Sequence, residues 1–590
     1  MRPILLLLLA ALSTPSSGFA AAGDDVAAAR AVFEANLAAI AARDRDAYLA
    51  TYLQSPRLAR TGPAGFALGW EDHVRSAGEA WPDTFEARDL RLVSIRPGVV
   101  YGTYRYRVRY GDDEQTGLSE RLFVETPEGW RIAMTSAFPA PPGTPPPPVA
   151  LAGATLVSPG RETVRDALVV LRDGRIECAG SREGCAAAAE GIDVVDVSGL
   201  WITPGLVDAH VHYSQTGWAD GRPDAFDVRG EHPYPRVVAS LEAEPERFHR
   251  AWLCSGVTAV FDVGGYPWTT ALATDGSLRA PHVAAAGPLL ATVDFWLNLP
   301  GERQFLFMND EETVRDAVRY IASAGGDAVK VWYIVPRDRR AEEFAPLVLA
   351  AGDEAAKAGL PLIVHATGLA EAKIAARAGA RLLVHSVWDR AVDDELIALM
   401  REAGTIYTPT LTVRRGYLRL AESIASGAAP AIDDPNGCVD AETRAKVLSS
   451  AELDAALVDA GTLPGRRDSV AVSEGIGAAN LMRLHRAGIP IAMGTDAGNP
   501  LTLHGPSVYA EMEAMQSAGM SPAAVLAAAT LGGASAMGRD EEIGTIEKGK
   551  IADLLLVGAD PMEDIANLRD VRFVVRGGVV RSIEELVAGR

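Results

Sequence analysis

Residues 204–212 read Pro-Gly-Leu-Val-Asp-Ala-His-Val-His, a short and mainly apolar run that ends in two histidines. A bounded run of this length and composition predicts a buried strand. Side chains alternate along a strand, so His210 and His212 project from the same face. The run therefore predicts a strand that carries two imidazoles to one end of a sheet.

Seven further runs of the same texture follow, and helical patterns separate them. The eight predicted strands are 205–212, 257–263, 282–286, 328–333, 362–366, 382–387, 406–411 and 489–495. Strands that alternate with helices predict parallel βα units, and eight of them are what a (β/α)8, or TIM, barrel requires. We therefore expect an α/β fold with a TIM barrel over 201–539 and a helical insertion at 414–488.

Four more polar residues lie on or just after these strands. Lys330 lies in the fourth predicted strand, His365 in the fifth and His385 in the sixth, while Asp496 follows the eighth. Barrel enzymes build their sites at the C-terminal ends of the strands, so we expect these side chains to meet the two histidines there. Six such residues at one end of a barrel indicate a catalytic site rather than structural histidines.

Lys330 needs a separate explanation, because Val329 and Val331 flank it in a predicted buried strand. An ammonium group without a partner there would carry a large desolvation penalty. Two answers stay open. A salt bridge would neutralise the charge, whereas carbamylation by CO2 would convert the amine into an anionic oxygen ligand able to bridge two metal ions.

Short strands and Gly- and Asp-rich turns lie on both sides of the predicted barrel. Residues 150–200 and 540–590 share this texture and predict one small β-sandwich domain built from both flanks. Ahead of it, the Pro-rich stretch 139–149 predicts a semi-rigid linker.

The amino-terminal region has two predicted parts. Residues 1–22 combine a basic start, a short apolar run and three alanines, which predicts a secretory signal peptide and a periplasmic or secreted protein. Residues 24–138 show helical spacing followed by alternating runs, which predicts a cone-shaped α+β domain. This part resembles the nuclear-transport-factor-2-like, or SnoaL-like, fold. We expect this domain to assist the assembly of a homo-oligomer, in which the partners are further copies of this chain.

The composition excludes several classes of partner. The 590 residues include 56 Lys and Arg against 77 Asp and Glu, a formal net charge of −21. An acidic surface does not suit nucleic acid or an anionic membrane, because both require a basic footprint. We therefore expect a small-molecule substrate, with no nucleic acid and no membrane as partner.

The four cysteines are not expected to take part in catalysis. Cys178 and Cys185 are close in sequence, and the spacing leaves open whether they form a disulfide. Cys254 lies in an apolar run and is expected to be a buried thiol. Cys438 is expected in a loop.

The ordered set of motifs resembles the amidohydrolase superfamily, especially its imidazolonepropionase-like and metal-dependent prolidase-like members. The matching passages are 204–212, 256–265, 325–331, 362–366, 382–386, 494–498 and 544–557, within about residues 150–585. The resemblance implies that His210, His212 and Asp496 hold a buried metal ion, and that His365 and His385 hold an exposed one. Carbamylated Lys330 would bridge them. Imidazolonepropionases lack this lysine and use one metal ion, so Lys330 favours the dinuclear, prolidase-like branch.

This ligand set implies a hydrolase. Two divalent ions that share a hydroxide present a nucleophile at neutral pH, and oxygen and nitrogen ligands suit Zn2+ best, although Mn2+, Co2+ and Fe2+ also accept them. Asp496 would take the proton of the hydroxide and pass it to the leaving amine. Tyr333 and His504 are further candidates, for an oxyanion contact and for support of the site respectively.

The expected reaction is cleavage of an amide bond in a dipeptide or an N-acyl amino acid. A cyclic amide, lactone, ester or phosphotriester is the near alternative, because the same nucleophile attacks them. A binding or sensing protein with an inactive barrel is the alternative outside enzymes, and the presence of all six ligand positions disfavours it.

Overall fold

The computed structural model describes residues 18–62, 65–77, 81–111, 113–139, 145–274, 276–293 and 304–588. The chain divides into two compact units, Met1–Thr144 and Pro145–Arg590. Most of the predicted signal peptide, residues 1–17, and part of the predicted linker, residues 140–144, lie outside the described residues. Among the helices of the described part, none is long and apolar enough to cross a membrane.

The first unit packs helices against a six-stranded sheet. Its helices are Gly18–Ala42, Arg45–Ala50 and Trp70–Ser76, and its strands, in sheet order, are Gly65–Leu68, Ala59–Gly62, Gly129–Pro139, Asp113–Thr126, Val99–Tyr110 and Thr84–Arg96. All pairs are antiparallel except Ala59–Gly62 with Gly129–Pro139. Alternation on Val99–Tyr110 buries Val100, Tyr104 and Val108 against the helical side, where Phe33 meets the ring of Tyr104.

Two small sheets of the second unit are built from both flanks of its sequence. One has the strand order Arg175–Ser181, Ala167–Arg172, Val149–Ala152, Asp193–Asp196, and the other Val579–Ser582, Val571–Arg576, Leu554–Val557, Trp201–Pro204, Thr155–Leu156. Leu151 and Val169 of the first sheet and Leu556 and Val575 of the second belong to one apolar cluster. The two ends of the region therefore share a core.

The central strands of the second unit are all parallel. In chain order they are β1 (Leu206–Val211), β2 (Val257–Asp262), β3 (His282–Ala285), β4 (Leu289–Ala291), β5 (Phe305–Phe307), β6 (Val329–Trp332), β7 (Leu362–His365), β8 (Ala380–Val384) and β9 (Ile406–Thr408). One sheet has the order β1-β2-β3 and the other β5-β4-β6-β7-β8-β9. Most of their side chains are buried, as expected for parallel strands covered on both faces.

Backbone hydrogen bonds link the ends of these two sheets. The amide of Asp327, just before β6, donates to the carbonyl of Ala285 in β3 at 2.8 Å. On the other side, Ala492 N donates to Tyr407 O in β9 at 3.0 Å, and Ala209 N in β1 donates to Met493 O at 3.0 Å. The predicted eighth run thus lies between β9 and β1, although it forms isolated bridges there rather than a regular strand.

Helices follow most of the central strands. They are Tyr234–Ala243, Glu246–Cys254, Glu311–Ser323, Ala345–Ala358, Leu369–Arg377, Asp394–Ala403, Val413–Ser426, Ala441–Leu448, Leu463–Arg486, Ser507–Ser517, Pro522–Ala527 and Gly533–Ala536, with Arg182–Cys185 and Ile583–Ala588 near the two flanks. Several begin at an aspartate whose carboxylate accepts a backbone amide, as Asp310, Asp393 and Asp440 do. The helices Val413–Ser426, Ala441–Leu448 and Leu463–Arg486 occupy the region of the predicted insertion.

All four cysteines are paired in disulfides. Cys178 and Cys185 form one, which answers the question that their spacing left open. Cys254 and Cys438 form the other, across a sequence separation of 184 residues. Cys438 lies in a loop as expected, but the interpretation of Cys254 as a free, buried thiol was wrong. Cys254 is buried as expected, but the fold brings the end of helix Glu246–Cys254 against the insertion, which a local pattern does not reveal.

Candidate active site

The six predicted metal ligands line one cavity at the carboxyl ends of the central strands. The cavity has a volume of about 190 Å3. Its lining comprises His210, His212, Gln215, Arg222, Leu289, Gln304, Phe305, Lys330, Trp332, Ile334, His365, His385, Trp388, Val413, Arg414, Tyr417, Asp496 and Asn499. Titratable groups and large apolar side chains therefore share a small space, which is the usual character of an enzyme site.

Asp496 lies at the centre of the histidine cluster. Its Oδ1 atom is 3.2 Å from Nε2 of His210 and 3.0 Å from Nε2 of His212, and its Oδ2 atom is 3.9 Å from Nε2 of His385. One potential ligand atom from each of His210, His385 and Asp496 falls within 4.8 Å of the others. The ring of His365 is 4.3 Å, centroid to centroid, from that of His385.

The backbone at two of these positions adopts a conformation that is rare outside glycine. His385 has φ +75° and Asp496 has φ +62°, both in the left-handed region. Such conformations cost about 1–3 kcal/mol each and persist where the surrounding structure enforces them. A glycine is required at position 494, two residues before Asp496, because a Cβ atom there would lie 2.8 Å from the Cβ of His210. The chain gives up local stability to bring Asp496 beside the histidines.

The histidines are held in orientations that suit a metal ion. Nδ1 of His212 donates to the carbonyl of Gly264 at 2.7 Å, and Nδ1 of His385 lies 2.7 Å from Oγ1 of Thr410. The Nε2 atoms of both rings therefore remain directed at Asp496, an arrangement typical of metal-binding histidines. His210 is fully buried, yet neither of its ring nitrogens is aligned for a hydrogen bond. A metal ion at this ring would supply the partner that the protein does not.

The protonation states support the same fit. Burial and the neighbouring cationic groups hold the pKa values of His210, His365 and His385 well below the usual value for histidine. The three rings are therefore neutral at physiological pH, with lone pairs available to bind a divalent ion. The chemistry of the donor set thus fits a metal centre.

Lys330 is 2% exposed, and no hydrogen bond or ion pair of the described residues involves it. Burial lowers its pKa to about 7, although the charges of Asp496 and Asp262 act in the opposite direction. The amine is thus close enough to these carboxylates to feel their charge, but it is not bonded to either of them.

Two buried aspartates near the cluster were not predicted as site residues. Asp208 accepts hydrogen bonds from the amide and hydroxyl of Thr495 at 3.0 and 2.6 Å, and from the amide of His210 at 3.2 Å. It ties β1 to the segment that carries Asp496. Asp262, at the end of β2, accepts from the amide of Gly264 at 3.3 Å, and burial raises its pKa to about 6. Asp208 lies two residues before His210, so the strand period could have identified it.

Tyr333 and His504 do not line the cavity. The Tyr333 hydroxyl is buried and donates to the carbonyl of Ala341, because Tyr333 follows Trp332 and alternation directs it to the opposite side. The structure therefore does not support an oxyanion contact by Tyr333. His504 donates from Nε2 to the carbonyl of His212 at 3.1 Å and stacks on Phe248 at 3.8 Å. It supports the backbone of a predicted ligand and does not reach the cavity.

Arg222, Trp388 and Arg414 line the cavity but carry no signal in the sequence, because they follow strands in segments without a motif. Arg222 forms a bidentate ion pair with Asp224, with bonds of 2.8 and 2.7 Å, and donates to the hydroxyl of Tyr417. Arg414 stacks over the ring of Trp388 at 4.9 Å. Only the tertiary structure shows that these side chains face the predicted ligands.

Comparison with known proteins gives the family. Residues 201–581 match the amidohydrolase family model. An imidazolonepropionase of Aromatoleum aromaticum is 28% identical over 414 residues, covering 67% of this chain and 86% of the relative, and one of Acidiphilium cryptum is 32% identical over 276 residues, covering 42% and 65%.

Solved structures share the fold. A Xaa-Pro dipeptidase with bound methionine has a TM-score of 0.55 at 22% identity, covering 74% of this chain and 100% of its own. A putative prolidase from Bifidobacterium longum has a TM-score of 0.55 at 24% identity, covering 75% and 98%. The chain therefore belongs to the amidohydrolase family, whose relatives here are hydrolases that act on carbon–nitrogen bonds.

Proposed function

We propose that the protein is an exported, metal-dependent amidohydrolase that cleaves an amide bond in a dipeptide or an N-acyl amino acid. The observation that carries this proposal is the convergence of four histidines, Lys330 and Asp496 on one buried cavity, where the ring nitrogens of His210 have no hydrogen bond. The parallel strands and the hydrogen bonds that link β9 to β1 support a TIM barrel as the scaffold.

The proposed ligands are those predicted from the sequence. His210, His212 and Asp496 would hold one divalent ion, His365 and His385 a second, and Lys330 would bridge them as a carbamate. When bound, such ions lower the pKa of water and polarise a carbonyl group. Nitrogen and oxygen donors without thiolate suit Zn2+ and also accept Mn2+, Co2+ or Fe2+.

The proposed carbamate rests on the position of Lys330, buried and without a hydrogen bond to a carboxylate. In its formation the amine nitrogen attacks the carbon of CO2, a carbon–nitrogen bond forms, and the nitrogen releases a proton. The product is an anion with two oxygen atoms where the unmodified chain has a buried amine. A salt bridge from Lys330 to Asp262 or Asp496 is the alternative, and neither contact is made in the structure.

The rest of the chemistry follows from the side chains of the cavity. Asp496 is placed to accept a proton from the attacking water and to deliver it to the nitrogen of the leaving amine. Trp332, Phe305 and Ile334 supply an apolar wall that keeps bulk water from the reacting carbonyl and accommodates an apolar part of the substrate.

The structural neighbours support the substrate class, and the disulfides support export. One neighbour is a Xaa-Pro dipeptidase, and another is an ochratoxinase of A. niger, with a TM-score of 0.55 at 23% identity. Two disulfides account for all four cysteines, which fits an oxidising compartment. Because the chain is also similar to imidazolonepropionases, a cyclic amide is the second candidate substrate.

The test combines metal analysis with a substrate screen. Protein purified with Zn2+ and bicarbonate should hold about two equivalents of metal per chain, as a dinuclear site requires. It should hydrolyse members of a library of dipeptides and N-acyl amino acids. Asp496→Asn should abolish hydrolysis, whereas Asp468→Asn, an exposed aspartate on helix Leu463–Arg486, should not change it.

Three results would contradict parts of the proposal. Absence of bound metal would refute the metal centre. Turnover of lactones or phosphotriesters but of no amide would refute the substrate class. An intact mass without the carbamate, together with no 13C-carbamate resonance after growth with labelled bicarbonate, would favour an unmodified Lys330.

A further inference from the structure

Arg414 presents an arginine side chain to the cavity without a carboxylate partner among the described residues. It lies in the first turn of helix Val413–Ser426, which follows β9, and its guanidinium stacks over Trp388 at 4.9 Å from the ring centroid. Among the described residues, its Nη2 atom donates a hydrogen bond to Oγ of Ser469 at 3.2 Å. Both Arg414 and Trp388 line the cavity that holds the predicted metal ligands.

The acidic groups nearby are engaged elsewhere. Glu474, whose charge acts on Arg414, pairs with the adjacent Arg415 through bonds of 3.1 and 2.6 Å. The second arginine of the cavity, Arg222, is neutralised by Asp224. Arg414 is therefore the cavity guanidinium whose charge is left without an anion.

Half-burial without a counter-ion is unfavourable for a group that stays charged at every physiological pH. The cost is offset if an anion binds there. The guanidinium lies over the ring of Trp388, and Nη2 is its hydrogen-bonded nitrogen among the described residues, so Nε and Nη1 are available to receive a carboxylate through two parallel hydrogen bonds. Ser469 uses one donor of the group, so several donors remain.

We propose that Arg414 binds the free carboxylate of the substrate and thereby determines specificity for amides that carry such a group, such as N-acyl amino acids. This inference rests on the proposed function and names the residue that selects the substrate. Phe305, Trp332 and Ile334 of the same cavity would receive the apolar part of the molecule. Arg414 is thus a specificity-determining residue and takes no part in the chemical step.

The test uses binding as well as hydrolysis. The probes are N-ethyl-L-leucine, which has a carboxylate and no amide, and N-ethyl-L-leucinol, which has an alcohol in its place. Calorimetric titration of the metal-loaded full chain should show tighter binding of the acid. Arg414→Met should weaken binding of the acid by about 100-fold and change binding of the alcohol by no more than about threefold, as expected for loss of a charge-assisted bidentate contact.

Three further variants complete the design. Arg467→Met removes an exposed arginine of helix Leu463–Arg486 that is paired with Glu422, and should leave the preference for the acid unchanged. Arg414→Lys keeps the positive charge without the planar guanidinium and should retain part of the preference for the acid that Arg414→Met loses. Arg414→Gln provides the same comparison if Arg414→Met fails to fold.

The same variants are then compared on an amide substrate and its carboxamide counterpart. The wild-type protein should prefer the acid through a lower KM, and Arg414→Met should remove that preference. Equal binding of the two probes by the wild type, or an unchanged preference in Arg414→Met, would overturn the inference. If the acid probe binds through Arg414 but no amide is hydrolysed, the inference stands and the proposed function fails.

Discussion

Removal of the Cys254–Cys438 disulfide should cost more stability than removal of Cys178–Cys185. The two bonds have similar Cα–Cα distances, 5.5 and 5.7 Å, but close loops of very different length, with sequence separations of 184 and 7. A disulfide restricts the unfolded chain more strongly when the loop is longer. The loop-entropy relation gives about 5 kcal/mol for the long loop and about 2.4 kcal/mol for the short one at 25 °C.

The loop around Cys438 keeps other contacts when the disulfide is absent. Asp434 accepts hydrogen bonds from the amides of Cys438 and Val439 at 2.7 and 3.0 Å, and it pairs with Arg444 at 2.6 Å. These contacts hold the loop in shape by themselves. The loss on removing the disulfide should therefore come mainly from the entropy of the unfolded chain, so the difference of about 3 kcal/mol between the two variants should be measurable.

The assay is urea unfolding of two double variants, Cys254→Ala with Cys438→Ala and Cys178→Ala with Cys185→Ala. Trp218 reports on the insertion, because its side chain is buried and its Nε1 donates to Oγ of Ser450 at 2.8 Å. Hydrogen exchange of 441–448 gives a second, local readout. Reduction of the wild-type protein serves as a control and should shift its transition beyond that of the weaker variant, because both disulfides are then open. Equal losses in the two variants, or a larger loss for the short loop, would refute the reasoning.

Two further predictions concern glycine positions and pH. Gly494→Ala should weaken metal binding about 10- to 100-fold in a chelator competition, because the new Cβ would lie 2.8 Å from the Cβ of His210. Gly475 lies in helix Leu463–Arg486, and a Cβ atom there would have no atom within 4 Å. Gly475→Ala should therefore raise stability by about 0.5–1 kcal/mol in thermal unfolding. Burial raises the pKa of Asp553, but Arg576 and His282 lower it more, so the net pKa is below its usual value. Its contribution to stability is thus present above the unfolded pKa of about 4 and is lost as the pH falls through the lowered value. Asp553→Asn should cost about 3 kcal/mol at pH 7 and progressively less in acid, and a constant cost across this range in urea titrations would contradict the assignment.

Seven of the nine central strands could be predicted from the sequence, because each is a short apolar run with a clear boundary, whereas β4 and β5, of three residues each, were not predicted. The six proposed ligands could be predicted for the same reason, since each lies on or just after such a run. The last predicted run, 489–495, differs in the opposite sense, since it was predicted as a strand and is not a regular one. It forms isolated bridges to its neighbours, and Asp496 directly after it takes a left-handed conformation that no residue pattern announces. The requirement to place a carboxylate beside three imidazoles prevails there over regular strand geometry.

Tyr333 shows why position along a strand does not suffice. It directly follows the strand that carries Lys330, but the alternation that brings Lys330 and Trp332 to the cavity turns Tyr333 toward Ala341. Once the face of Lys330 is known, the two-residue period of the strand predicts that Tyr333 lies on the opposite face. Tyr333 is close to Lys330 along the chain but belongs to the opposite face of the strand.

The features that the sequence did not reveal are those that join distant segments. Cys254 and Cys438 are 184 residues apart, and Arg414 meets Trp388 only because two loops after adjacent strands fold toward the same cavity. Ligands for a metal ion must come from strand ends, which have a recognisable pattern, whereas substrate recognition comes from loops, whose composition is free to vary. The reaction class could therefore be predicted from the chain alone, while the residue that selects among amides required the packed structure. This division places the test of specificity on Arg414 and the test of catalysis on Asp496, so the two can fail independently.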